Sequence, residues 1–438
     1  CFIPGLSHGF ASLRSVVGKR MTASLSSKPA YRFMVQGSAR LWSGLRDLQA
    51  IICCTPMNDL LFCAHKNKTL LEPIWMRTLG NISSKARDNN FNLLRFIAAT
   101  MVLFGHSYSS NDPLAAYYQV PSHHMAVDIF FAISGFLVTG SLFARHSLIA
   151  FALARLLRLV PGIFVSCAIT ALTVGLYLTT LPISDYLKDT ATWSYVWVNS
   201  MLLETQVNLP GIDVGMNGSL WTIPFEVRMY AILAVVGVAI YWWPRLLNIK
   251  AAQIVIVLIA ISANIGLMMI AYAPVAISTK MLASVELSYW RFLAMFFLGA
   301  AFYILRHRIP LSIVIVAVLC GLIYWSKTVY FQDTGNNSLF FGMYSLTLPY
   351  LVLYFAYLPS RFLQGFNKIG DYSYGIYLYA FPIQRLTEHL GLATSPITWF
   401  LWSFPLTVAL AAFSWHIVEK PALQLKNLYK APAVAPRE

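Results

Sequence analysis

Arg95 and His106 stand at the two ends of the run RFIAATMVLFGH, whose interior is apolar enough to sit in a membrane. An arginine there can hold an anion. A histidine can take a proton from a hydroxyl or accept an acyl group. Eleven residues apart in the chain, they fall about 20° apart around a helix and roughly 16 Å apart along it, so one face carries both at two depths. A charge in hydrocarbon costs a few kcal/mol or more, and demands a partner, a water-filled cavity or a function. Asp128, in HHMAVDIFFAISGFLVTGSLF, falls at the membrane depth expected for His106 and can orient its imidazole. Glu226 and Arg228, in GSLWTIPFEVRMYAILAV, follow Pro224, where a helix break is expected. At i and i+2 those two charges cannot pair on one helix face, and Arg291, in SYWRFLAMFFLGA, is the expected partner of Glu226. Arg155 and Arg158, in FALARLLRLVP, lie one turn apart on a helix expected to end near Pro161, and two guanidinium groups on one surface can grip phosphate oxygens. Plainer roles also fit: Arg95 as a snorkelling anchor, His106 as an interfacial histidine, Asp128 in a simple ion pair, and Arg155 and Arg158 as cytoplasmic anchors.

The elements that must position these groups follow from composition. Of 438 residues, 58% are hydrophobic and only 11% charged, and the mean hydropathy is +0.62, outside the balance of a soluble domain. Stretches able to cross roughly 30 Å of hydrocarbon as helices occur at about 91–108, 123–143, 160–181, 219–241, 251–273, 287–305, 310–326, 338–358, 372–390 and 397–418. Strand alternation is absent, which argues against a membrane barrel. The fold class expected is therefore all-α, a multi-pass transmembrane helical bundle of about ten spans. The net charge of +15 tracks topology. Arg145, Arg155, Arg158, Arg245, Lys250, Arg306, Arg308, Arg361, Lys368, Lys420 and Lys426 all fall on one side of a ten-span chain, which puts the N- and C-termini of the membrane domain in the cytoplasm. The basic excess thus reports orientation, and no nucleic-acid partner is implied. Trp193 and Trp197, in WSYVWVNSMLL, mark an aromatic segment able to lie in the interface.

Residues 1–75 differ from the remainder: rich in Ser and basic residues, without sustained helical period, and holding Cys1, Cys53, Cys54 and Cys63. Met76 and a short polar lead precede the first span directly. The division expected is a non-native or disordered extension at 1–75, a membrane domain at 76–425 and a cytoplasmic tail at 426–438. The cysteines show neither a disulfide framework nor metal spacing, and no metal is expected.

The residues resemble the acyltransferase-3 family of integral membrane acyltransferases, typified by O-antigen acetylases. The likeness spans about 88–425 and rests on NLLRFIAATMVLFGH, VDIFFAISGFL, ARLLRLVP, GSLWTIPFEVRMY, WRFLAMFFLG, GDYSYGIYLYAFP and VEKP, in that order. It implies ten or so transmembrane helices and transfer of an acyl group, usually acetyl, from cytoplasmic acyl-CoA to a hydroxyl of a cell-surface or lipid-linked glycan. By resemblance, His106, Asp128 and Glu226 are the catalytic candidates, while Arg95, Arg155 and Arg158 would bind the acetyl-CoA donor. The expected location is the bacterial inner membrane. The chain departs from the family at Tyr377-Leu378-Tyr379-Ala380-Phe381-Pro382, where many members carry a histidine before the last two positions. The competing class is a transporter or a flippase-like partner in polysaccharide export, since charges at several depths also mark substrate paths. No clear inverted repeat supports it.

Overall fold

The computed structural model describes residues 78–80, 89–108, 112, 120–145, 147–242, 249–272, 285–358 and 365–427, all inside the compact unit Ile74–Glu438. The extension expected at 1–75 lies outside them, as does most of the expected tail. Each of the ten apolar stretches is a helix: α1 Phe91–Tyr108, α2 Ser122–Arg145, α3 Leu148–Ile169, α4 Ile223–Trp242, α5 Ile249–Ala271, α6 Val285–Ile304, α7 Ile313–Trp325, α8 Ser338–Ala356, α9 Ser373–His389 and α10 Pro396–Ser414. Strands are absent among the described residues, where Thr78 and Pro310 form an isolated bridge.

Eight of these helices, α2 to α8 and α10, are long and apolar enough to cross a membrane, α7 together with the helical turns that continue it to Thr334. The protein is a multi-pass helical bundle. The other two carry polar side chains and bond to each other: Gln384 Nε2 of α9 donates to Leu103 O at 2.9 Å and Ser107 Oγ at 2.8 Å, both on α1. Around this interior α5, α7 and α10 expose Ile254, Leu258, Met269, Val318, Leu401 and Phe413, an apolar surface suited to lipid.

Two helix starts differ from expectation, one through a cap and one through a preceding 3-10 turn. Ser147 accepts from Ala150 N at 3.3 Å and starts α3 there, so Arg155 and Arg158 belong to the spanning helix itself. Pro161 sits inside that helix and does not end it. Before α4, a 3-10 turn over Gly218–Thr222 leads into the helix at Ile223. Pro224 therefore occupies the first α-helical turn, where its missing N–H costs nothing. The aromatic segment forms a helix over Thr190–Ser200, capped by Asp189, which accepts from Ala191 N at 2.8 Å. Trp193 and Trp197 are exposed on it.

At the centre, α2 and α6 meet backbone to backbone. A Cβ added at Gly135 would stand 1.9 Å from Phe296 O, and one at Gly299 would stand 2.3 Å from Ala132 O. Phe131 and Phe292 stack beside this crossing with ring centroids 4.3 Å apart. Small residues permit such contact in a bundle that lacks a hydrophobic driving force between helices. Replacing Gly135 or Gly299 by Val forces the helices apart, and overpacking of this kind costs about 1–3 kcal/mol. The expected outcome is a lower unfolding temperature in detergent for either variant; an unchanged transition would show that the crossing tolerates side chains.

Candidate functional site

The first half of the site is a cavity of about 440 Å³ between α1, α2, α3, α4 and α9. Arg95, Arg155, Arg158 and Lys426 line it together with Asp371 and Glu226, so four cations meet two carboxylates. Asp371 stands two residues before α9 and joins two helices: its Oδ2 accepts from Arg95 Nη1 at 3.1 Å and from Arg158 Nη2 at 2.7 Å. Ser373 Oγ donates to the other oxygen at 2.5 Å. Burial alone would raise the Asp371 carboxyl, but the guanidinium of Arg158, then that of Arg95, and the Ser373 hydrogen bonds hold it down at about 2. Glu419 adds a weaker contact, 3.8 Å from Arg158 Nη1. Arg155 differs from both: its Nε is buried without a hydrogen-bond partner among the described residues, and its guanidinium lies 6.0 Å from the Tyr230 ring centroid.

Glu226 lies in the same cavity. It accepts from Tyr230 Oη, and from Ser134 Oγ at 3.3 Å. Thr222 and Tyr377 also line the cavity, and their hydroxyls bond to each other at 2.5 Å. His106 and Asp128 do not line it. Phe381, one turn after Tyr377 on α9, meets the His106 ring edge to face with centroids 5.3 Å apart.

The second half is a polar row, half-buried at His106 and His123 and buried from His124 onward. His106 stacks on His123, with centroids 4.8 Å apart and planes at 28°. His123 lies 4.5 Å from His124 by the same measure. Arg291 Nη2 donates to His124 Nδ1 at 2.8 Å, its Nε donates to Asp128 Oδ1 at 3.0 Å, and Tyr344 Oη donates to Asp128 Oδ2 at 2.8 Å. Arg291 and Asp128 are both wholly buried.

Two expectations change here. Arg291 pairs with Asp128 rather than Glu226, because the close α2–α6 crossing sets it against α2. Asp128 does not touch the His106 ring; Arg291 and Tyr344 occupy its oxygens, and the imidazole tied to that network is His124. The structure does bring Arg95, Arg155, Arg158 and Glu226 to one cavity. Asp371, Glu419, His123 and Tyr230 were not singled out from the sequence. Their signal was present in GDYSYG, VEKP, HHMAVD and EVRMY, but nothing local says that a carboxylate before α9 bridges two arginines on α1 and α3. Ala380 stands where many acyltransferase-3 members carry the ninth-span histidine, and is buried.

Residues 88–416 match the family model described as an acyltransferase domain. The chain is 30% identical over 346 residues to an O-acetyl transferase of Shigella phage Sf6, covering 76% of this chain and 96% of that relative. It is 28% identical over 383 residues to Nodulation protein 10 of Rhizobium leguminosarum bv. viciae, covering 80% of this chain and 96% of that relative. No solved structure matches it.

Removing one member of a buried ion pair strands the other, at about 3–5 kcal/mol. Asp128→Asn should therefore destabilise the protein strongly, and Asp128→Leu combined with Arg291→Met should recover much of the loss in detergent thermal unfolding. Equal stability of Asp128→Asn and the native protein would show that Arg291 does not depend on Asp128. For Asp371, whose carboxyl is depressed in the folded state, the stabilisation is full above the unfolded value of about 3.9 and is lost as pH falls through about 2. The deficit of Asp371→Asn should then be constant between roughly pH 5 and 9.

Proposed function

The chain belongs to the acyltransferase-3 family, and from that premise we propose that it is an inner-membrane O-acetyltransferase moving acetyl from cytoplasmic acetyl-CoA to a hydroxyl of a cell-surface or lipid-linked glycan. The observation that carries this proposal is the cavity that joins an arginine cluster at Arg95, Arg155 and Arg158 to Glu226, Thr222 and Tyr377. Acyl-CoA is a polyanion with a long thin arm ending in a thioester. A cavity lined by arginines as well as by apolar side chains such as Phe130, Phe131 and Leu137 suits both parts.

In this proposal the arginine end faces the cytoplasm, in keeping with the positive-inside distribution. Arg155 takes a phosphate group through the part of its guanidinium that lines the cavity, since among the described residues its Nε has no hydrogen-bond partner. Arg95 and Arg158, already sharing Asp371, present their remaining N–H groups around it. The pantetheine arm follows the cavity towards Thr222 and Tyr377. His106 lies past Phe381, on the side from which the glycan approaches. It removes the proton from the acceptor hydroxyl as general base, or takes the acetyl group itself before passing it on. Glu226, held by Tyr230 and Ser134, keeps a carboxylate at the cavity wall where it can fix substrate hydroxyl or amide groups. Asp128 serves the reaction through Arg291 and His124 rather than by direct contact with His106. The similarity to the phage O-acetyl transferase supports acetyl as the group and a hydroxyl as the acceptor.

Membranes containing the protein, given labelled acetyl-CoA and de-acetylated surface polysaccharide, should transfer label. His106→Ala should lower transfer by at least about a hundredfold, the usual weight of a positioned acid-base group, without loss of folded protein. Full activity in that variant would remove His106 from the chemistry. Arg155→Gln should raise the acetyl-CoA KM by about tenfold or more, the worth of one charge-assisted hydrogen bond, and leave the acceptor KM unchanged. An effect on the acceptor alone would overturn the donor assignment.

A further inference from the structure

The row of three imidazoles is longer than a single-histidine mechanism requires. His124 is fixed by its partner: a guanidinium has no acceptor, so His124 Nδ1 must accept from Arg291 and the ring carries its proton on Nε2. His123 is different. Its Nδ1 is buried and has no hydrogen-bond partner among the described residues, although its ring is stacked on His106. The closeness is built into the backbone. A Cβ at Gly105 would stand 2.5 Å from Ser122 Oγ and 2.9 Å from His123 Nδ1, so only glycine before His106 lets α1 press onto the first turn of α2. A carboxylate waits at that turn: Asp112 Oδ2 accepts from Ser122 N at 2.7 Å and from Ser122 Oγ at 2.5 Å.

We infer that His123 is a positioning residue that acts through His106, receiving the proton His106 takes from the acceptor hydroxyl and passing it towards Asp112. This rests on the acetyl-transfer function proposed above. In the direct route the acceptor O–H bond breaks, its oxygen bonds to the acetyl carbon, and the C–S bond breaks with its electron pair left on sulfur. The thiolate takes a proton from water on the coenzyme A side. The hydroxyl proton goes to His106 and then, through one bridging water, to His123; stacked rings cannot exchange it directly. The groups facing this pair are His124 and Arg291 on the far side of His123, Asp112 at the helix start, and Arg385 of α9 near His106. Cations stand at both ends of the pair, Arg291 beyond His123 and Arg385 near His106, each held by its own carboxylate, and Asp112 is the carboxylate at the first turn of α2 that draws the proton onward from His123.

The test uses the full-length protein in membranes with labelled acetyl-CoA and de-acetylated surface polysaccharide. His123→Phe keeps the stacked ring and removes both nitrogens. It should lower kcat about a hundredfold while both KM values stay within about twofold, the mark of an interaction made only during the reaction. His123→Ala should be equally slow and should regain activity when imidazole is added, a response that a packing role would not give. Should His123→Phe not accumulate as folded protein, His123→Gln takes its place. Native kcat in the Phe or Gln variant overturns the inference, as does a slow Ala variant that imidazole does not restore. His106→Ala, measured alongside, separates the two levels. Activity in His106→Ala defeats the proposed chemistry, whereas an inactive His106→Ala beside a fully active His123→Phe defeats only the relay.

Discussion

A guanidinium sealed in an apolar bundle has to be answered by a carboxylate, and the pairing of Arg291 with Asp128 is the contact on which the rest of this site depends. Neither group is accessible to solvent, so neither can remain charged there without the other. Their hydrogen bond ties α6 to α2, and Tyr344 adds α8 to the same carboxylate. The glycines at 135 and 299 let the two helix backbones approach closely enough for that bond to form. Through Arg291, the pair also fixes the orientation of His124.

Asp371 applies the same rule at the other end of the cavity with a different result. It is buried at the edge of the cavity, and two arginines share one of its oxygens. Glu419 also reaches Arg158, so these two arginines meet two carboxylates, while Arg155 and Lys426 line the same cavity. One buried pair is closed and structural, while the other cluster borders an open cavity. The bundle thus separates an arginine-lined cavity from a histidine row, with Tyr377 and Phe381 of α9 between them.

Much of this was legible in the chain before folding. Ten apolar stretches gave ten helices, since helical hydrogen bonding is the way an open chain satisfies its backbone in lipid. The eleven-residue spacing from Arg95 to His106 made one helix reach both ends of the site. Arg155 and Arg158, one turn apart, could be expected to act on a common surface. The helix starts altered the details: Ser147 starts α3 early enough to absorb both arginines and Pro161, and Pro224 begins a helix instead of breaking one.

Partner choice was beyond the reach of sequence. Arg291 is as apolar in its surroundings as Glu226 is, and spacing along either helix gives no ground for joining Arg291 to Asp128, 163 residues away. Nor does it show that a carboxylate preceding α9 bridges α1 and α3, or that His123 stacks on His106. Helix periodicity fixes which side chains share a face, because that geometry is local. Which faces meet is decided by packing: the close approach allowed at Gly105, Gly135 and Gly299, and the cost of leaving any buried charge alone.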